Sequence, residues 1–349
     1  MSAHAPSPLS PRGAADRHPR PRPWTPQSGR GWRQALSADL EASLRGLWAR
    51  ALSEVGLLDD GAPGPAVVPG LALAAVGSLA RREAGPASDL DLVLLHDRAD
   101  TPARRLDPAT VAALAENLWY PLWDAGVVLD HSVRTIEEVR GVAGSDLPAA
   151  VGVLDLRHIA GDASLTGRCA SVLLADWRRA TRKRLPELAQ DAADRALRAG
   201  DLATLLEPDL KEAHGGLRDA VIVRALAASG LADRPHGGFD RAVDSVLDVR
   251  DALALATGRP TNRLLAAAQD EVAVPLGVVD DGGGGPEEPR DALLRGLYVA
   301  GREIASALEG TMRSALRAAR PARRPLTLVR FRPPRCPGAA TARRRCRPA

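Results

Sequence analysis

Apolar runs separated by polar and glycine-bearing breaks divide the chain into a strand-rich front part and a helical back part. From Gln34 to Leu58 the apolar residues recur at the spacing of an amphipathic helix. Two short apolar runs, Leu71–Val76 and Leu90–Leu95, predict buried strands. A helical pattern over Val111–Trp123 precedes a third predicted strand, Val127–Val133. Strands that alternate with helices predict an α/β (α+β) domain with a mixed sheet.

After Ala149 the apolar pattern is almost wholly helical as far as Ala319, which predicts a second, all-helical domain. Both ends of the chain are rich in arginine and proline and lack periodicity, so we expect them to be disordered. The predicted organisation is a tail (1–34), the sheet-containing domain (35–149), the helical domain (150–319) and a second tail (320–349).

The distribution of charge argues against a nucleic-acid partner, although the whole chain carries a net charge of +4. Residues 1–34 contribute +5 and residues 320–349 contribute +10, so the part between them carries −11. A duplex-binding face is expected to be basic in the folded part. Aromatic residues make up only 3% of the chain, which leaves little for base stacking.

Neither a membrane segment nor a cysteine-based site is predicted. The longest apolar run, Ala66–Ala80, is interrupted by proline and glycine and is shorter than the roughly 20 residues of a membrane helix. The three cysteines form no CxxC pair, and the basic N-terminus is followed by no apolar stretch. We therefore expect a cytoplasmic protein.

A segment around the second predicted strand combines a Gly-Ser pair with two aspartates. Gly77 and Ser78 follow the first strand, and Asp89 and Asp91 flank Leu90 at the start of the next. Residues i and i+2 of a strand face the same side, so the two carboxylates repel each other unless a cation lies between them. Mg²⁺ commonly shares one or two carboxylates with substrate phosphates, and a glycine lets the backbone approach a phosphate. The segment therefore predicts a Mg²⁺-dependent site for nucleotidyl transfer.

This arrangement resembles the DNA polymerase beta-like nucleotidyltransferase superfamily, in which a Gly-Ser or Gly-Gly turn precedes Asp-x-Asp on the next strand. The resemblance implies a third carboxylate on a later strand. Asp130, at the end of the run Val127–Asp130, is the candidate, and Asp155 is the alternative. An aspartate that simply ends a strand is an equally open interpretation of Asp130.

Three further segments narrow the resemblance to one family. They are Leu118–Gly126 followed by His131–Thr135, the polar segment Leu206–Asp219, and the helical stretch that holds Asn262-Arg263 and Asp270–Ala273. Together with the Asp-x-Asp segment they resemble the N-terminal half of the bacterial protein-PII uridylyltransferases. The motifs occur in the same order, from about Leu36 to Ala319.

The polar segment carries the remaining candidate binding residues. Gly215 and Gly216 allow a sharp turn with close backbone approach. Lys211 and Arg218 flank this turn and are suited to bind phosphates. With the family resemblance we interpret all four as nucleotide-binding, and a polar loop that merely connects two helices is the alternative.

The family resemblance implies transfer of UMP from UTP, or of AMP from ATP, to a tyrosine of the PII signal protein. Mg²⁺ is the implied cofactor and pyrophosphate the second product. A glutamine synthetase adenylyltransferase-like enzyme, or another protein nucleotidyltransferase, shares the same core and is one alternative. A non-catalytic remnant that binds PII or a nucleotide is the other.

Two features depart from the family pattern. The turn after the first strand usually reads Gly-x-Gly-Arg-Gly-Glu, whereas Ala80 and Arg82 stand here where glycines are expected. If these positions need a positive φ, each non-glycine residue costs about 1 kcal/mol. The family continues into an HD phosphohydrolase domain and two ACT domains, which are not recognisable here. We expect a truncated or frameshifted member without uridylyl-removing activity.

Overall fold

The computed structural model describes residues 26–58, 66–97, 106–277 and 288–320. Most of both predicted tails therefore lies outside the described residues. In chain order the regular elements are α1 (Pro26–Glu54), β1 (Leu71–Ala75), α2 (Gly77–Ala80), β2 (Leu90–His96), α3 (Pro108–Asp124), β3 (Leu129–Arg134), α4 (Ile136–Ser145), α5 (Leu147–Gly152), a 3₁₀ turn (Val153–Asp155), β4 (Arg157–Gly161), α6 (Ala163–Ala199), α7 (Leu217–Ala228), α8 (Gly238–Thr257), α9 (Ala266–Ala273) and α10 (Pro289–Ala319).

The strands form a mixed four-stranded sheet in the order β3-β2-β1-β4. Strand β1 pairs antiparallel with both β2 and β4. Strand β3 pairs parallel with β2, and the intervening helix α3 provides the crossover that a parallel pair requires. The predicted mixed sheet is confirmed.

Both faces of the sheet are covered, which explains the continuous apolar runs of β1 and β2. On one face Leu92 and Leu94 pack with α1 and α3. On the other face Val93 and Leu95 pack with Leu165 and other residues of α6. Because side chains alternate along a strand, Asp91 points to the same face as Val93. The predicted carboxylates therefore lie on the α6 side of the sheet.

Helix α6 continues from the sheet into the helical part of the chain. Its first half, including Leu173, packs on the sheet, whereas Trp177, Leu185 and Leu188 belong to the core formed with α7, α8 and α10. Within the described ranges, no helix is long and apolar enough to cross a membrane.

Three boundaries differ from the sequence prediction. Helix α1 begins at Pro26, so residues 26–34 belong to a helix and not to the predicted disordered tail. Arg33 lies in this first part of α1. Its side chain is 1% exposed and forms ion pairs with the buried acids Asp248 and Asp251. Strand β4 lies in the segment predicted to be all helical. Only Ile159 and Ala160 of this strand are buried, so it lacks the apolar run that predicts a strand. Strand β3 begins two residues later than predicted and ends at Arg134.

Candidate functional site

The turn between β1 and β2 is shaped for close approach to Asp91. Gly77 has φ +64°, and a Cβ at this position would lie 2.1 Å from Asp91 Oδ2, so only glycine fits. The Oγ of Ser78 is buried and has no hydrogen-bond partner within the described part of the chain. An unpartnered buried hydroxyl is costly and points to a missing acceptor or donor at this place. The predicted pair Gly77-Ser78 therefore lies directly beside the carboxylates.

Three carboxylates lie at the beginnings of β2 and β3, close enough for the charges of the other two to act on Asp91. Asp91 and Asp130 are paired Cα partners on the two parallel strands, and Asp89 precedes β2. Burial, followed by the neighbouring charges of Asp89 and Asp130, raises the pKa of Asp91 from 3.8 to about 6, against the opposing charges of Lys211 and Arg81. A bound cation would relieve this repulsion.

The structure distinguishes the two candidates for a third acid by their surroundings. Asp130 lies close to Asp91, because its negative charge contributes to the raised pKa of Asp91. Asp155 lies in the 3₁₀ turn and accepts a hydrogen bond from Arg81 Nη1 at 2.8 Å. The charge of Asp155 is thus already compensated by a guanidinium, and the geometry favours Asp130 as the third carboxylate.

The residues present fit a Mg²⁺ ion that is bound together with a phosphate. The donors at the site are carboxylate oxygens, which Mg²⁺ prefers, and the pKa of Asp91 is raised by burial and then by the negative charges of Asp89 and Asp130. Among the described residues no group of three or more His, Cys, Asp or Glu side chains is arranged to hold a metal ion. Mg²⁺ typically completes its coordination with water and substrate phosphates. Asp89 and Asp91 would hold the ion on the protein side.

A cleft of about 690 Å³ separates the carboxylates from the helical part of the chain. Asp91 and Asp130 line it from the sheet, Asp89 from the residue before β2 and Ser78 from α2, and Lys211 and Arg218 line it from the segment 211–218. The positive charge of Lys211 lowers the pKa of Asp91, so the ammonium group is close enough to interact electrostatically with this carboxylate. The sequence-predicted phosphate-binding cations and the predicted carboxylates are therefore brought together.

Gly215 and Gly216 do not line this cleft. Gly215 has φ +81°, and a Cβ there would lie 2.4 Å from the Gly301 carbonyl oxygen of α10. A Cβ on Gly216 would lie within 2.8–3.0 Å of three backbone carbonyls. The backbone N–H of Gly215 donates to the buried Asp219 at 2.7 Å. The two glycines shape the loop that presents Lys211 and Arg218, and direct contact with a nucleotide stays a prediction for them.

A set of charged residues in and around the turn Gly77–Glu83 was not predicted from the sequence. Glu83 Oε2 accepts from Arg81 at 2.7 Å, Glu83 Oε1 accepts from Arg224 at 2.6 Å, and the Glu83 carbonyl accepts from Arg250 at 2.7 Å. These contacts tie the turn to α7 and α8. The family motif Gly-x-Gly-Arg-Gly-Glu pointed to the positions of Arg81 and Glu83, but nothing local marks Arg224 or Arg250.

The departures from the family turn have different structural consequences. Arg82 has φ +58° and is the one non-glycine residue with a positive φ in the described ranges. The expected strain at this position is confirmed. Ala80 lies in α2 and has no positive φ, so the strain expected there is absent.

Comparison with known proteins identifies relatives, although no family model matches the chain. The bifunctional uridylyltransferase/uridylyl-removing enzyme of Streptomyces coelicolor is 48% identical over 294 residues, which are 84% of this chain and 32% of the relative. The enzymes of the same description from Mycobacterium tuberculosis H37Rv and Corynebacterium glutamicum are 42% and 37% identical. They match 74% and 70% of this chain and 32% and 31% of their own lengths.

These names place the chain among relatives of nucleotidyl-transferring enzymes, the class that the site geometry suggests. Over the matched residues the chain belongs to the family of the bifunctional uridylyltransferase/uridylyl-removing enzymes, which confirms the resemblance seen in the motifs. The chain spans about a third of the length of the curated relatives that it matches.

Proposed function

We propose that this chain is a Mg²⁺-dependent nucleotidyltransferase that moves UMP, or AMP, from the triphosphate to a tyrosine of the PII signal protein and releases pyrophosphate. The observation that carries the proposal is the meeting of Asp89, Asp91 and Asp130 across a cleft from Lys211. The descriptions of the relatives support a uridylyl group as the group that is transferred. Neither the base nor the acceptor is fixed by the geometry, so UTP, ATP and PII are all part of the proposal.

The site residues predicted from the motifs beside the cleft each have a role in this reaction, except for the two glycines of the segment 211–218. A Mg²⁺ ion held by Asp89 and Asp91 would supply charge neutralisation of the phosphates. The tyrosine oxygen forms a bond to the α-phosphorus while the bond to the bridging oxygen of pyrophosphate breaks. Asp130, which is exposed at the cleft, accepts the hydroxyl proton. Gly77, Ser78, Lys211 and Arg218 hold the phosphates.

Labelled UTP or ATP with Mg²⁺ and purified PII tests the proposal. We expect label on a PII tyrosine and release of pyrophosphate. Asp89→Asn and Asp130→Asn should each lower the rate on the order of 100-fold, the scale seen when one electrostatic group of a catalytic site is removed. Asp233→Asn is the matched control, because Asp233 is exposed and lies outside the cleft. Absence of transfer, or undiminished transfer by Asp89→Asn, contradicts the proposal.

The acceptor is tested in the same assay by replacing PII with glutamine synthetase. Transfer to glutamine synthetase and not to PII would support the adenylyltransferase-like alternative. The positive φ of Arg82, at a position where the family has glycine, costs conformational energy and favours the second alternative, a non-catalytic remnant. Calorimetry that shows binding of the Mg²⁺–nucleotide complex without turnover would support that alternative. Removal of uridylyl groups is no part of the proposed function.

A further inference from the structure

Strand β3 lies at one edge of the sheet and carries a residue of the candidate site. Within the described ranges it pairs with β2 alone. The N–H of Leu90 in β2 donates to the carbonyl of Val128, the residue before β3, at 2.9 Å. Backbone groups alternate in direction along a strand, so even-numbered residues point theirs towards β2, and the odd-numbered His131 and Val133 point theirs away. A row of backbone donors and acceptors is therefore open at this edge.

The two faces of the sheet differ in chemistry beside this edge. Asp130 is exposed and lines the cleft together with Val128, which is 61% exposed. Because side chains alternate along a strand, the side chain of His131 lies on the opposite face. There it contacts Trp123 of α3 at 5.2 Å between the ring centroids, and Trp123 meets Tyr120 edge-on at 5.5 Å.

Tyr120, Trp123 and His131 form an aromatic patch along the edge. Tyr120 is 57% exposed and Trp123 is 43% exposed. Aromatic residues make up only 3% of the chain, so two exposed rings in contact are a concentration of a rare residue type. Aromatic side chains are enriched in protein interfaces and often supply much of their binding energy. The patch therefore has the composition of a surface that binds another protein.

We propose that an extended segment of the acceptor protein adds to the edge of β3 as a further strand, with the acceptor tyrosine on the cleft face beside Asp130. The proposal rests on the proposed function, because it takes a protein hydroxyl as the attacking group. The residues before and after the tyrosine then lie over the aromatic patch, whichever direction the added strand runs. Main-chain hydrogen bonds provide affinity in strand addition, and alternate side chains provide specificity.

The position of the edge selects this occupant. Asp130 takes the hydroxyl proton in the proposed reaction, and a segment paired with β3 lies beside Asp130 in a fixed register. Leu147, Pro148 and Val151 line the same cleft and offer apolar surroundings to a phenol ring. A second copy of this chain paired at the same edge would instead cover the approach to Asp130.

Amide hydrogen exchange, measured residue by residue by NMR on the full chain, tests the strand addition. The chain is compared with and without saturating PII, in the presence of Mg²⁺ and a non-transferable UTP analogue. We expect the amides of His131 and Val133 to exchange at least about 10-fold more slowly with PII, because they gain hydrogen-bond partners. The amides of Ser132 and Arg134 already point towards β2 and should change less.

Unchanged exchange at His131 and Val133 in the presence of PII overturns the proposal. Protection of these two amides without PII, increasing with the concentration of the chain, would assign the edge to a second copy and also overturns it.

Two substitutions in the aromatic patch test its part in binding. Trp123→Ser and Tyr120→Ser should each raise the KM for PII by about 10-fold, the scale of one aromatic residue that contributes strongly to an interface. The kcat and the KM for UTP should stay at wild-type values. Leu255→Ser is the matched control, because Leu255 is also 43% exposed but belongs to α8 and does not line the cleft. A wild-type KM for PII in both patch variants, or a fall in kcat alone, overturns the role of the patch.

The two proposals fail in distinguishable ways. Protection of His131 and Val133 by PII, without transfer of nucleotide, keeps the docking edge and removes the proposed function. Transfer to PII with unchanged exchange along β3 and a wild-type KM in both patch variants keeps the function and removes the docking edge.

Discussion

Among single residues, Asp91 shows that the candidate site lowers the stability of the folded chain. Burial, and then the charges of Asp89 and Asp130, raise its pKa from 3.8 to about 6. Because the folded-state pKa is the higher one, Asp91 destabilises the chain above about pH 6, and this loss disappears as the pH falls towards 3.8. We expect Asp91→Asn to raise the free energy of unfolding by about 2 kcal/mol at pH 8 without metal, and to have little effect near pH 3.5.

Urea denaturation of both proteins at the two pH values measures this difference. Asp233→Asn should leave the free energy of unfolding unchanged at both, because that side chain is exposed and outside the cleft. Addition of Mg²⁺ with a nucleotide should reduce the difference in free energy of unfolding between the two proteins at pH 8, because the ligand stabilises only the wild type. If Asp91→Asn is less stable than wild type at pH 8, the ionised carboxylate of Asp91 does not destabilise the folded chain and the expectation is wrong.

How far single residues could be predicted depended on how local their chemistry is. Asp89 and Asp91 were predicted from alternation along a strand, which fixes the side chains that share a face, whereas Asp130 became a candidate only through the family resemblance. Arg224 could not be predicted in this way, because its hydrogen bond to Glu83 joins positions that are 141 residues apart in the sequence. Arg250 reaches the Glu83 carbonyl across 167 residues, a contact that no local pattern encodes.

Among elements, the loop before α7 depends on its close packing against α10. Gly215 and Gly230 have nearly the same φ, +81° and +75°, but only a Cβ on Gly215 would meet the backbone of Gly301. We expect Gly230→Ala to cost about 1 kcal/mol from backbone strain alone. Gly215→Ala should cost about 3 kcal/mol, because overpacking adds to the same strain. Thermal denaturation of the two variants measures the difference, and equal losses would show that the loop moves freely away from α10.

The elements themselves were predictable where their pattern was strong. Strands β1 and β2 are buried on both faces and therefore appear in the sequence as unbroken apolar runs. Strand β4 was missed because it is short and mostly half-buried, and its place in the sheet is fixed by pairing with β1. Pairing between distant segments leaves little trace in either partner.

For the molecule as a whole, α1 is joined to the helical part by buried charges and not only by apolar contact. Arg33 is paired with Asp248 and Asp251. Asp251 is also paired with Arg250. Arg250 in turn donates a hydrogen bond to the carbonyl of Glu83 in the turn Gly77–Glu83. The predicted boundary after residue 34 failed because this link cannot be seen in the Pro- and Arg-rich sequence that precedes it. The same network connects the start of the described chain to the candidate site.

Arg33→Met tests how much stability this network provides. Removal of the guanidinium leaves the buried carboxylate of Asp248 without its partner cation and leaves Asp251 with Arg250, so we expect a loss of about 3–5 kcal/mol in the free energy of unfolding at pH 8. Arg30→Met is the matched control, because Arg30 is 66% exposed and, within the described ranges, pairs with Asp244 alone at 3.5 Å, so the substitution should cost less than about 1 kcal/mol. Burial raises the pKa of Asp248 to about 6 even beside Arg33, so protonation of Asp248 should shrink the loss in Arg33→Met as the pH falls below that value. Equal losses in the two variants, or a loss in Arg33→Met that is independent of pH, would show that α1 is held by its apolar face alone.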